Sequence, residues 1–324
     1  MKFAFIIDPL PKLDPAHDTS VAIMEAAQAL GHEVWVTQAH QLSAIATGVQ
    51  AVLQQVQLKG VELVEGRWIV DELWYQASEP VHRLLGEMDA VFMRTDPPVT
   101  IPYLYATYIL DLISQETLVV NSPHGLRTAN EKMYALQFQS VIPETIVSQN
   151  KQVIREFVER QGAGVIKPLG GKAGEGILLV EAGDRNFNSL IEISTKQGRE
   201  PVMVQTFLPA AKEGDKRVIL LDGEPIGAVN RIPTGSEFRG NMAVGGVAAK
   251  VDITPRDREI CQIVAPKLRE DGLYFTGIDI IGGYLTEVNV TSPTGIREID
   301  RFNNTRLGKQ VVEWAEKTVS SRVR

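Results

Sequence analysis

The stretch "GIDIIGGYLTEVNVTSPTG", residues 277–295, sets Asp279, Glu287 and Asn289 among Ile, Val and Leu. Its apolar composition predicts two short buried strands around the glycine pair, and a carboxylate buried there is costly unless a cation meets it. Glu287 and Asn289 are two apart on a strand, so they share a face. Two carboxylates and an amide oxygen are the donors that a hard divalent cation such as Mg²⁺ takes. Where Asp279 points depends on the turn. A two-residue turn at Gly282-Gly283 pairs 281 with 284 and sends Asp279 to the opposite face. A three-residue loop, 282–284, pairs 279 with 287 instead, and glycine suits its left-handed position. A metal shared by all three residues therefore asks for the odd loop. The competing reading leaves Asp279 in solvent and lets Asn289 open the turn at "TSP".

A second stretch, "IKPLGGKAGEG", has the glycine density of a phosphate cradle. It fits neither standard form: the P-loop needs Gly at 166 and Ser or Thr at 173, where Ile166 and Ala173 stand, and the dinucleotide fingerprint fails at Leu179. What remains is Lys167 on a strand, then a loop carrying Gly170, Gly171, Gly174 and Gly176, whose backbone N–H groups can approach phosphates closely. The blander reading is a hairpin turn with a surface lysine. Basic residues gather around "TGSEFRGNMAVGG", an aperiodic segment at 234–246 that reads as a lid or as disorder. They are Lys212, Lys216, Arg217, Arg231 and Arg239, with Arg297 further on. In a chain of net charge −7 this grouping points to anionic ligands, which guanidinium groups bind bidentately. Cys261 lies between Ile260 and Ile263 on a helix and reads as packing. The five histidines show no metal-ligand spacing, and no Ser/His/Asp signature appears.

The elements that must position these residues follow from periodicity. The first third alternates strands ("KFAFIID", "HEVWVTQ", "DAVFMRTD", "TLVVNSP") with helices ("TSVAIMEAAQALG", "YLYATYILDLISQ") and one hairpin, "VELVEGRWIVDELWY". Asp18 or Thr19 is the expected cap of the first helix and Gly31 its stop. Such alternation predicts a doubly wound parallel sheet with ligands beyond the carboxyl ends of its strands, where Arg94 stands. The middle third reads as the helices "KMYALQFQ" and "KQVIREFVERQG" with strands "PETIVS", "GVIKP", "ILLVE" and "PVMVQTFLP". The last third adds a hairpin turning at Asp222-Gly223 and helices "RDREICQIVAPKLRED" and "GKQVVEWAEKTV". At 324 residues there is room for two or three cores. The acidic balance gives no reason to expect nucleic acid, and a single cysteine excludes a disulfide framework. The N-terminal apolar run stops at Asp8, too short for a signal core, and no later stretch reaches membrane-spanning length. The expected location is the cytoplasm.

Taken in order, "NEKMYALQF", "IKPLGGKAGEG", "VQTFLP", "GDKRV", "NRIP", "RGNMAVGG" and "GIDIIGGYLTEVNVTSPTGIREI" resemble the ATP-grasp ligases, most closely the bacterial-type glutathione synthetase family. "MRTDPP", "YATYIL" and "VNSP" extend the likeness over nearly the whole chain. The resemblance implies an α/β ATP-grasp fold in three parts. Residues 1–122 form a substrate-binding domain with a doubly wound parallel sheet, 123–204 a small lid subdomain, and 205–324 an α+β catalytic subdomain with a mobile loop at 232–250. It implies ligation of γ-glutamylcysteine to glycine, with ATP giving ADP and phosphate through an acylphosphate. By motif, Lys132 and Lys167 contact ATP phosphates under the loop Gly170–Gly176, and Gln205, Phe207 and Leu208 form the adenine hinge. Asp279, Glu287 and Asn289 hold Mg²⁺, or Mn²⁺ in its place. Arg217, Arg231 and Arg239 stabilise the transferring phosphoryl group and substrate carboxylates, while Arg94, Asn241, Ser292 and Thr294 anchor substrate. Family members are commonly homo-oligomers, dimers or tetramers, with small-molecule partners and neither nucleic acid nor membrane. Two departures stand out: "GGKAGEG" replaces the frequent "DGMGG", and Val247 replaces an arginine. The competing readings are a different carboxylate–amine ligase of this fold and a non-catalytic ATP-binding module.

Overall fold

The computed structural model describes residues 1–172, 174–235 and 237–322. Ala173 of the glycine loop, Ser236 of the 232–250 segment and the last two residues lie outside them. The short apolar runs of the N-terminal third form a parallel sheet in the order Leu118–Val120, Ala90–Met93, Lys2–Ile6, Glu33–Thr37. Phe3, Phe5 and Phe92 are wholly or almost wholly buried in it. Asp18 caps the helix Thr19–Ala29 by accepting from the Val21 amide, as its sequence predicts. The sheet then continues in an antiparallel part that periodicity did not suggest. The long strand Gly48–Leu58 pairs with Glu33–Thr37, Leu42–Ile45, Tyr75–Ala77 and Val81–Leu84. Its "GVQAVLQQVQL" does alternate, burying Val49, Ala51 and Leu53, but the phase slips at the paired glutamines before Val56.

The middle of the chain builds an antiparallel sheet in the order Thr145–Ser148, Val202–Thr206, Ala163–Pro168, Leu178–Glu181. The helix Lys151–Gln161, capped by Asn150, covers it through Ile154, Phe157 and Val158, joined by an unforeseen helix Phe187–Ser194. Strand Val202–Thr206 runs across position 204/205, so Gln205 belongs to this sheet. The run "MYALQF" folds as a 3-10 helix, Met133–Phe138.

The third sheet is antiparallel throughout: Val247–Lys250, Glu224–Ile232, Asp215–Leu221, Phe275–Ile281, Tyr284–Asn289. The turn at Asp222-Gly223 takes positive φ at both residues (51° and 76°), the mirror-image turn whose twist suits a two-residue hairpin. One face packs Val218, Leu220, Ile278 and Val288 against the helix Pro255–Glu270, with Cys261 buried between them. Burial pushes the Cys261 thiol up to about 12, which fits a packing role and not a nucleophile. The other face carries the polar residues described below. Segment 233–246 connects two paired strands, since Ile232 lies opposite Val247.

Asn121, at the end of the parallel sheet, ties that sheet to the third. Its amide donates to the Phe275 and Val290 carbonyls at 2.8 Å each and accepts from the Phe275 amide at 2.7 Å. Asn121→Ala leaves three buried backbone groups without partners and is expected to cost about 3 kcal/mol or more of stability. A denaturant titration that finds less than about 1 kcal/mol would contradict this coupling.

Candidate active site

The open face of the third sheet sets side chains in register across its strands. Arg217 lies opposite Asp279, and Asp279 lies opposite Glu287. One strand away, Asp215 lies opposite Arg231. Arg217 grips Asp279 with two bonds, Nε to Oδ1 at 2.5 Å and Nη2 to Oδ2 at 2.9 Å. Arg231 bridges both aspartates, reaching Asp215 at 2.5 Å and Asp279 at 3.0 Å. All four are buried or nearly so, and each charge has an opposite charge beside it. Burial alone would raise the Asp279 carboxyl, but the Arg217 and Arg231 guanidiniums overcome it and hold the group well below the usual carboxylate range. At Asp215 burial wins and raises the carboxyl, despite Arg231.

The register also settles where Asp279 points, by a route the sequence reading did not include. Ile281 pairs with Tyr284, so the turn is the even one, with Gly282 and Gly283 at φ 57° and 79°. Asp279 nevertheless faces Glu287, because a bulge next to Asp279 inserts Thr286 as an extra residue. The Thr286 hydroxyl donates to the Asp279 carbonyl at 3.2 Å and closes that bulge. The expectation that a shared face requires an odd loop is therefore corrected: the bulge does the shift that the loop would have done. Asn289 donates to Asp279 Oδ2 at 3.2 Å and completes the row.

Two lysines stand above this floor. Lys132 donates to the Gly171 carbonyl at 2.8 Å and to Glu287 Oε1 at 3.2 Å. Lys167 donates to Gln205 Oε1 at 2.6 Å, and its burial pulls the ammonium below its ordinary value despite Glu287, Asp215 and Asp279 nearby. Gly171 and Gly174 line a cleft of about 260 Å³ that also takes in Gln205, Phe207, Leu208, Ser292 and Thr294. Gly170 and Gly176 shape the loop without lining the cleft; Gly176 needs its φ of 69°, and a Cβ there would sit 2.8 Å from Pro168. Arg239 and Asn241 reach the cleft from the 233–246 connection. Arg239 donates to the Gly174 carbonyl at 2.8 Å and holds Glu237 down to about 2 through their paired hydrogen bonds.

Not every basic residue of the expected cluster arrives. Lys216, next to Arg217, points by strand alternation to the other face, where it meets Asp257 at 2.6 Å. Arg297 is buried elsewhere, against the Pro15 carbonyl and Glu25, and Lys212 is exposed. Arg94 is buried outside the cleft lining. It donates to Ser20 at 3.0 Å and to the Pro293 carbonyl at 3.0 Å, and so fixes the loop that presents Ser292 and Thr294. Three contributors were missed. Asp215 precedes Arg217 by two and had to share its face. Glu131, beside Lys132, accepts from the Val290 and Thr291 amides at 2.9 and 3.0 Å. Thr286 carries the bulge.

This architecture is that of an ATP-grasp ligase. The solved structures of the ATP-grasp ligase PsnB (TM-score 0.63, 17% identity, 97% of this chain and 98% of that one) and of D-cycloserine synthetase DcsG (TM-score 0.64, 14% identity, 98% and 99%) share the fold. Family models narrow the class: the prokaryotic glutathione synthetase N-terminal domain matches residues 1–127 and the prokaryotic glutathione synthetase ATP-grasp domain residues 131–304. The chain belongs to the prokaryotic glutathione synthetase family. It is 66% identical to a glutathione synthetase of Nostoc over 98% of its length and 99% of that relative's. A glutathione synthetase of Synechocystis is 65% identical over the same shares of the two chains.

Asp279→Ala strands Arg217 without a carboxylate and leaves Arg231 with Asp215 alone. The expected loss is about 3 kcal/mol, as for other broken buried ion pairs. Denaturant unfolding checks it, and a variant as stable as the parent would show that the row is not mutually dependent.

Proposed function

We propose that this cleft joins γ-glutamylcysteine to glycine, converting ATP to ADP and phosphate and releasing glutathione. The observation that carries the reading is the paired arginine–aspartate floor facing two buried lysines under a glycine loop, in a chain of this family. A carboxylate resists an amine because its carbon is a poor electrophile and oxide a poor leaving group. Phosphorylating it to an acylphosphate removes both obstacles, and the glycine amine then displaces phosphate. No protein nucleophile is required, so the residues act by position and charge.

Lys132, Lys167 and the amides of the glycine loop bind the phosphates of ATP, while Gln205, Phe207 and Leu208 take the adenine. Arg217 and Arg231 face the transferring phosphoryl group, and their aspartates hold them in place before charge develops, so little reorganisation is needed. Arg239, Asn241, Ser292 and Thr294 surround the reacting carboxylate, with Arg94 bracing the 292–294 loop. The 233–246 connection, shorter than the expected 232–250 loop because Val247–Lys250 pairs as a strand, serves as a lid that excludes water from the acylphosphate.

Among the described residues no three of His, Cys, Asp and Glu converge as metal ligands. A divalent cation, Mg²⁺ or Mn²⁺, would rest on Glu287, Asn289 and Asp279, an all-oxygen set of the kind hard cations take. The donors fit: Asp279 Oδ1 accepts from one group alone, and Glu287 pairs through one oxygen with Lys132. When bound, the ion neutralises phosphate charge as a Lewis acid.

In this reading residues 1–122 bind substrate, 123–204 form the lid subdomain and 205–324 the catalytic one. The partners are the three small molecules and further copies of the chain, with neither nucleic acid nor membrane, and the setting is the cytoplasm. Among the described residues no helix is long and apolar enough to cross a membrane.

Phosphate release from ATP is expected to need both γ-glutamylcysteine and glycine and to match the glutathione formed. Release driven by other acid–amine pairs alone would overturn the substrate assignment. Glu287→Gln is expected to lower kcat at least about 100-fold, the scale of losing one preorganised electrostatic group, and to raise the Mg²⁺ concentration needed for half activity. Parental kcat with unchanged magnesium dependence would remove Glu287 from the site.

A further inference from the structure

The cleft is lined by the cations Lys132, Lys167, Lys172, Arg217, Arg231 and Arg239, and by as many carboxylates. Four of the cations already have a counter-charge. Arg217 and Arg231 pair with the aspartates of the floor, Lys132 with Glu287, and Arg239 with Glu237. Among the described residues, Lys167 and Lys172 have no carboxylate at salt-bridge distance. Lys167 is buried on the strand Ala163–Pro168, with its ammonium on Gln205. Lys172 is the opposite case, an exposed side chain on the glycine loop whose ammonium makes no hydrogen bond among the described residues. Its backbone, in contrast, is pinned on both sides. Lys132 donates to the Gly171 carbonyl and Arg239 to the Gly174 carbonyl, each at 2.8 Å. The Glu175 amide donates to the carbonyl of Lys172 itself at 2.9 Å. Gly174 takes a φ of 83°, and a Cβ there would lie 2.8 Å from Asn241 Oδ1, so the turn is seated against the 233–246 connection.

We infer that Lys172 is a phosphate-binding residue of this cleft, its ammonium closing onto the phosphate chain of ATP when the nucleotide enters. An exposed lysine without a partner is ordinary on an open surface. Here the side chain lines a cavity, and two other cations of the site fix the backbone from which it springs. Like charges gathered around one cavity repel one another while it is empty and are relieved when a polyanion arrives. The floor supplies little of that relief, because its guanidinium charges are matched by Asp215 and Asp279. The charge that remains for phosphate is that of Lys167 and Lys172. The two are suited to different tasks: a buried ammonium holds one position, while a lysine on a four-carbon stem follows its ligand as a compact point charge. Lys132 bonds both the Gly171 carbonyl and Glu287, so Lys172 starts beside the part of the cleft where the divalent cation would rest. The inference rests on the proposed use of ATP and adds to it a contact made from the loop.

The test is calorimetric binding of the β,γ-imido analogue of ATP, with Mg²⁺, to the full chain. Lys172→Met is expected to raise Kd about 10-fold, the scale of one hydrogen bond to a charged group. Lys172→Arg keeps the charge and is expected to stay within a few-fold of the parent. Lys151→Met removes the same charge from the helix Lys151–Gln161, away from the cleft, and is expected to bind as the parent does. Raising the salt from about 50 to about 300 mM is expected to weaken the parent more than Lys172→Met, since the variant has one fewer contact to screen. A parental Kd in Lys172→Met overturns the inference. So does a Lys172→Arg variant as weak as Lys172→Met, which would assign the loss to shape, or a Lys151→Met variant that loses as much, which would assign it to net charge. A parent that binds the analogue but makes no glutathione overturns the proposed reaction alone, and the Kd values still judge Lys172. A parent that binds no nucleotide overturns both.

Discussion

Arg217, Arg231, Asp215 and Asp279 can be buried together, and none of them could be buried alone. Taking one such ion out of water costs several kcal/mol, and the attraction of its partners returns that energy only when the geometry is close. Here the contacts are 2.5–3.0 Å and the bonds to Asp279 are bidentate. Such an arrangement adds little net stability over an apolar core of similar volume. What it supplies is two guanidinium groups held rigidly in a sheltered place, which in the proposed reaction face the transferring phosphoryl group. Lys167 is the contrast: among the described residues it has no partner at salt-bridge distance, its hydrogen bonds go to Gln205 and Thr286, and burial lowers its pKa. In the proposed reaction a phosphate of ATP is the counter-charge that this buried ammonium calls for.

Because these side chains act only in register, the backbone of the third sheet has narrow tolerance. A slip of one residue sends every site residue to the face covered by the helix Pro255–Glu270. Two devices set the register. The even turn at Gly282-Gly283 needs positive φ twice, which glycine adopts without strain. The bulge at Thr286 then shifts the remainder of the strand so that Asp279 meets Glu287. Asn121 and Glu131 hold the far end of the same hairpin, at Phe275 and at Val290–Thr291. Chemistry and fold thus share residues, and the N-terminal sheet is coupled to the cleft through backbone hydrogen bonds.

Much of this was legible. The strands that carry Lys167, Gln205, Arg217, Arg231 and Asp279 announced themselves by apolar runs and glycine turns. The ordered motifs brought the family with them. What stayed hidden depended on long-range pairing. A β-bulge leaves no mark in a sequence, since Thr286 is an ordinary strand residue until its partners are known. Arg94 and Arg297 are both arginines near polar loops, and only the packing of the N-terminal domain against the 292–297 segment shows that they brace it. Strand Gly48–Leu58 alternates, yet its slip at the paired glutamines concealed an eleven-residue element. Lys216 needed only strict alternation to be excluded from the cleft, and there the signal was available.

We propose that the guanidinium of Arg217 works because Asp279 orients its fork before ATP arrives. Arg217→Lys keeps the charge and discards the fork, so its steady-state kinetics test this most directly. The expected result is a kcat about 100-fold lower with a KM for ATP changed only a few-fold, since the loss is felt where charge develops. A variant with near-parental kcat would contradict it and reduce the paired row to a structural feature of the sheet.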